Sequence, residues 1–186
     1  MIGGFVGKSR TAERFARHLY SAIVAQARQP ALYRRFGVPD TMEGRFEMVV
    51  LFTIILFLRL RREGREGQDL AQRVFNLFVT DMDMSLREMG VGDLGVPKRM
   101  KDIGRSFYGR VDAYGKPLAD MDRSELCEAL HRNLFPEEPE MPLLTTELAD
   151  YVIQASLSLN DVSVSELKSG NIRFPETASA ATIRVN

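Results

Sequence analysis

Apolar residues recur at intervals of three and four along most of this chain, and strict alternation is scarce. That period belongs to helices. Over residues 9–27, Phe15, Leu19, Ala22, Ile23 and Ala27 gather on one face while Arg10, Arg14 and Arg17 fall mostly elsewhere. Gln29-Pro30 breaks this helix, and residues 31–36 form a short helical turn ended by Gly37-Val-Pro39. Asp40 with Glu43 has capping-box spacing and predicts a long helix to about Arg62. Its stretch 48–58 is apolar all round, yet barely half the roughly 20 residues a bilayer span needs. A central helix enclosed by others is the expected role.

Gly64 and Gly67 punctuate a turn before a helix over residues 68–89, whose face carries Leu70, Val74, Leu77, Phe78, Met82 and Met89, with Gly90 as its cap. After a loop at 90–97, Pro97 suits the first turn of a helix running to about Tyr114, where Gly115-Lys-Pro117 should stop it. Asp122 with Glu125 opens another helix to Phe135, residues 136–142 form an acidic, Pro-rich connection, and residues 143–159 give the last long helix. Beyond it a short turn at 164–168 and the extended-looking Ile172-Arg-Phe174 lie in a tail, residues 161–186, that is either packed or loose. The expected fold is all-α, one domain over residues 1–186, with about six main helices around a long central apolar one.

Composition narrows the function. An apolar fraction of 45% and a charged fraction of 27% are those of a globular chain. The single cysteine, Cys127, rules out an internal disulfide framework; with no signal peptide in view, a reducing compartment is expected, the cytoplasm first. A net charge of zero argues against nucleic acid as a partner, since phosphate binders need a basic surplus. The charge is uneven, however: residues 1–40 hold seven Lys/Arg against two acids, and residues 117–186 hold five against twelve. The basic first helix could therefore meet an anionic membrane surface as a peripheral adaptor.

Motifs for catalysis or cofactors are weak. Gly7-Lys8-Ser9 fails as a phosphate loop because the glycine required five positions before Gly7 is Ile2. Cys127 and His131 lie four apart with Glu128 between them, but two ligands do not make a metal site, and the other histidine, His18, is distant. No metal or cofactor is expected. Asp81 and Asp83 point nearly opposite ways around a helix, which disfavours paired acid–base chemistry. Asp81 shares a side with Leu70, Val74 and Phe78, so it needs a donor, either an Arg or Lys of a neighbouring helix or a partner. An enzyme using Asp81 or Glu88 as acid or base would need a deep pocket beside it.

The helix from Pro97 is the most informative. Met100, Ile103, Phe107, Val111 and Tyr114 make one stripe, and Lys98, Lys101, Arg105 and Tyr108 make another on the opposite side. One stripe suits a core and the other a partner. Gly104 and Gly109 within it suggest a kink or the close approach of another backbone.

Asp81-Met-Asp-Met-Ser-Leu-Arg-Glu-Met-Gly-Val-Gly-Asp93, then Val96-Pro-Lys98, Met100-Lys101, Phe107-Tyr-Gly-Arg110 and Tyr114, closely resemble the signature of ubiquinol-cytochrome c chaperones. Upstream, Ala31-Leu-Tyr-Arg-Arg-Phe-Gly-Val-Pro-Asp-Thr41 and Gly44-Arg-Phe-Glu47 resemble the same family's lead-in, so the likeness covers about residues 22–134. The resemblance implies an assembly chaperone of the respiratory cytochrome bc complex that binds newly made cytochrome b, with no catalytic step. It implies a bacterial relative of the mitochondrial protein, working at the cytoplasmic face of the inner membrane, with or without a small helper subunit. The residue reading nominates Asp81, Asp83, Arg87, Asp93, Lys98, Lys101, Arg105, Tyr108 and Arg110 as partner contacts. It places them along a polar, aromatic-studded groove between the signature helices, and flexible Met side chains such as Met82, Met84, Met89 and Met100 could adapt such a surface to apolar client segments.

Overall fold

A computed structural model describes residues 3–138, 140 and 143–177, with side chains from residue 10 onward apart from the gaps. The elements are α1 (Gly3–Ala27), α2 (Pro30–Phe36), α3 (Met42–Arg61), α4 (Gly64–Glu88), α5 (Val96–Asp120), α6 (Arg123–Leu134), α7 (Leu143–Asn160) and α8 (Val164–Ser169). Six are long, α2 and α8 are short, and no strand occurs among the described residues. The Gly7-Lys8-Ser9 side chains and residues 178–186 of the tail lie outside the described set.

The seams follow from local chemistry, and three differ from the sequence expectation. The N-cap of α3 is Thr41, whose hydroxyl accepts from the Gly44 amide at 3.1 Å; Asp40 instead pairs with Arg45 at 2.7 Å. Gly44 permits this tight entry, because a Cβ there would stand 2.0 Å from the Pro39 carbonyl oxygen. The next helix starts at Gly64 rather than near residue 68. Gly67 sits in its first turn against the end of α3, where a Cβ would fall 1.9 Å from the Leu60 carbonyl oxygen. The third difference is in α5, which runs through Gly115 and Pro117 to Asp120. Tyr114, Pro117 and Leu118 are all buried, and that burial carries the helix one turn past the residues expected to end it. Met121, at φ 56°, then stops it in the left-handed region. Asp122 caps α6 as its spacing predicts, accepting from the Glu125 amide at 2.9 Å.

One hydrophobic cluster draws on all eight helices. Helix α3 packs against α1, α4, α5, α6 and α7, and thirteen of its residues are buried. Near its end the buried Arg59 reaches across to α7, donating to the carbonyls of Leu159 at 3.0 Å and Val162 at 2.8 Å and pairing with Glu63. It thereby ties the last turn of α7, at Leu159, and the turn that follows it, at Val162, to α3. Residues 171–177 follow as an extended strap. Phe174 meets Phe52 edge-on at 5.1 Å, and the Tyr151 hydroxyl donates to the Pro175 carbonyl at 3.1 Å. Among the described residues, no helix is long and apolar enough to cross a membrane.

Candidate functional site

The signature residues occupy the α4–α5 hairpin. The two helices close on each other through rings: Phe75 lies 5.0 Å from Phe107 and 6.2 Å from Tyr108, and Phe78 lies 5.1 Å from Phe107. The seam expected as a groove is therefore filled by aromatic packing. Two surface depressions are present elsewhere. One is lined by Arg10, Glu13, Arg14 and Arg17 of α1, the other by residues of α2, α7 and the strap, including Arg35, Phe36, Tyr151 and Pro175. Neither contains Asp81 or Glu88.

The nominated residues separate into three groups. Asp81 accepts from the Tyr20 hydroxyl of α1 at 2.6 Å, so its donor is a tyrosine and not the lysine or arginine anticipated. Burial and this carboxylate push the Tyr20 phenol well above its ordinary pKa. Arg110, expected to face a partner, turns inward and meets Glu47 of α3 at 3.0 Å. The Tyr114 hydroxyl donates to the other oxygen of that carboxylate at 2.5 Å. Burial pushes the Glu47 carboxyl above its usual range, opposed by these two partners. Asp81 and Arg110 thus hold helices together.

The second group is a surface clamp. Arg87 binds Asp83 at 2.7 Å and Asp93 at 2.5 Å, tying the last turn of α4 to the loop that follows. The third is the outer face of α5, where Lys98, Lys101, Arg105 and Tyr108 are exposed. Among the described residues Arg105 pairs with Asp102 at 3.2 Å, and Tyr108 is 62% exposed although one side of its ring is packed. Gly104 and Gly109 flank Arg105 and Tyr108. Contrary to the sequence expectation, no atom approaches within 4 Å of where their Cβ would stand. They leave bare backbone beside the aromatic ring and the cations.

Sequence reasoning overlooked Glu47. It entered only as the last residue of the Gly44-Arg-Phe-Glu47 likeness, at the head of an apolar helix, and its partners Arg110 and Tyr114 lie 63 and 67 residues away. No group of three His, Cys, Asp or Glu that could hold a metal is found among the described residues. Cys127 is buried, which raises its thiol pKa.

The pattern of the family described as "Ubiquinol-cytochrome C chaperone" matches residues 34–174. The mouse ubiquinol-cytochrome c reductase complex assembly factor 1 is 24% identical over 160 residues, covering 86% of this chain and 54% of the mouse protein. Protein CBP3, mitochondrial, of Saccharomyces cerevisiae is 26% identical over 146 residues, covering 76% and 43%. The chain spans about half the length of these two relatives. A crystal structure of the Cbp3 homolog from Brucella abortus superposes with a TM-score of 0.84 at 41% identity, covering 95% of this chain and 98% of that one.

Proposed function

The chain belongs to the ubiquinol-cytochrome c chaperone family, and from that premise we propose that it serves assembly of the ubiquinol-cytochrome c reductase complex by holding newly made cytochrome b. Relatives named as assembly factors of that complex support the general role. The observation that carries the contact surface is the outer face of α5. There Lys101 and Arg105 stand exposed, Gly104 and Gly109 carry no side chain, and Tyr108 packs one side of its ring on the α4–α5 seam while the rest is open. Bare backbone, one half-seated ring and long cationic stems together suit a polypeptide that brings its own backbone close and has acidic or carbonyl-rich loops. An acid–base enzyme has less support, because Asp81 is engaged by Tyr20 and Glu88 is an exposed side chain at the end of α4.

A photo-crosslinker placed at Tyr108 or Lys101 should capture cytochrome b in cells that make the complex. Capture should fail when Lys101 and Arg105 are both changed to Glu in a protein that remains folded. Recovery of no membrane-protein client from either position would sink this reading. Whether a small helper subunit accompanies the chaperone would appear in the same captures as a second, smaller adduct.

A further inference from the structure

The α4–α5 hairpin runs past the start of α3, with α1 alongside α4: Glu13 pairs with Arg73 and Tyr20 with Asp81, a register that brings the end of α1 level with the end of α4. Phe46 meets Phe78 at 6.2 Å, four residues after α3 begins and ten before α4 ends. At 1.5 Å per residue the hairpin overhangs the start of α3 by roughly 9 Å. Its inner residues there, Leu86 and Val96, are buried, yet neither joins the main core cluster. The loop between the two helices, tied to α4 by the Arg87 clamp, forms the tip of this end.

Its outside has two chemistries. Leu94, in the loop at the tip, is 99% exposed, and Met89 beside it is 43% exposed. Lys98 and Arg99 follow in the first turn of α5, both exposed and without an acid in that turn. The acidic neighbours along the chain are Glu88, Asp93 and Asp102, of which Asp93 is held by Arg87 and Asp102 by Arg105. Exposed large apolar side chains at the hairpin loop, with two cations in the adjoining turn, fit the boundary between lipid headgroups and acyl chains. The basic face of α1 is the rival surface, but no large apolar side chain is exposed there among the described residues.

We propose that the tip of the α4–α5 hairpin docks on an anionic bilayer, seating Leu94 and Met89 at the acyl border while Lys98 and Arg99 meet headgroup phosphates. The site adjoins the client face, sharing Lys98 with the outer face of α5 whose proposed client contacts begin one turn on at Lys101, and the proposal stands whatever the client is.

The chain has no tryptophan, so Leu94→Trp places a single reporter at the tip, and Leu157→Trp on α7 serves as the control. The full chain would be mixed with vesicles of phosphatidylcholine alone or of phosphatidylcholine with phosphatidylglycerol. With the anionic vesicles the Leu94→Trp emission should shift to the blue, become quenched by brominated lipid and lose access to iodide, while the control does none of these. Leu94→Glu should weaken vesicle binding about tenfold or more without changing the circular dichroism, because a fully exposed side chain supports no packing. Absence of vesicle binding, unaltered binding by Leu94→Glu, or an indole that iodide still reaches in the bound protein would each overturn the proposal. Binding lost through Arg10→Glu, Arg14→Glu and Arg17→Glu with the tip still in water would do the same. No client is present in this test, so its failure leaves the chaperone reading untouched.

Discussion

Glu47 of α3 and Arg110 of α5 form an ion pair at 3.0 Å whose acidic half is only 3% exposed in its side chain. Removing the base strands a buried carboxylate, which is worse than never having made the pair. Arg110→Ala should cost about 2–3 kcal/mol, less than a wholly buried pair because its guanidinium is a quarter exposed. Glu47→Gln in the Arg110→Ala background should recover part of that loss in urea titrations.

The same carboxyl makes stability depend on pH. Burial raises its folded-state pKa above the ordinary 4.5, so the folded protein holds that proton more tightly than the unfolded chain. The resulting stabilisation is complete below the unfolded value and is lost as pH rises through the folded one. Unfolding free energies of the wild type, measured relative to Glu47→Gln, should therefore decline as pH climbs above about 4.5. A difference that stays flat would show that Arg110 and Tyr114 cancel the burial effect.

Arg59 is a staple between α3 and the far end of α7. Arg59→Met keeps the apolar stem but takes the side-chain donor from the Leu159 and Val162 carbonyls, of which Leu159 keeps the Val162 amide at 3.3 Å, and should destabilise by about 1–3 kcal/mol. Hydrogen exchange should accelerate first over residues 159–163, where the guanidinium holds the end of α7 and the turn after it against α3.

Two glycine substitutions should act oppositely. Gly67→Ala drives a methyl into the Leu60 carbonyl and should cost about 2 kcal/mol or more, since backbone cannot yield as a side chain does. Gly104→Ala meets nothing and should raise stability by about 0.5–1 kcal/mol. If the bare backbone of α5 is a client contact, the stabilised Gly104→Ala variant will nonetheless capture less client, separating function from folding in one protein.

Arg87→Ala should barely change the midpoint of global unfolding, because the clamp lies in water. Its effect should be local: faster amide exchange over residues 90–95, which would lose their tie to α4.

Helical period and punctuation made most of this fold legible, as Asp122 and Pro97 show by standing where helices begin. Misreadings came where packing overrules local preference. The buried Leu118 carries α5 past Gly115 and Pro117, and close contact at Gly44 moves a cap from Asp40 to Thr41. The candidate surface was half legible. Spacing put Lys98, Lys101, Arg105 and Tyr108 on one side of a helix, but Asp81 and Arg110 found partners on other helices. Periodicity states which way a side chain leaves its helix, not what stands opposite. Glu47 and Arg59 were opaque for that reason.

The strap over α3 also sets a timetable. The ring of Phe52 is synthesised early, and the ring of Phe174 that covers it comes more than a hundred residues later. A ribosome adding about 5–20 residues per second leaves that aromatic surface uncovered for several seconds at least. During that interval the nascent chaperone carries the liability it is proposed to relieve in others, and its own completion depends on one of the last phenylalanines made.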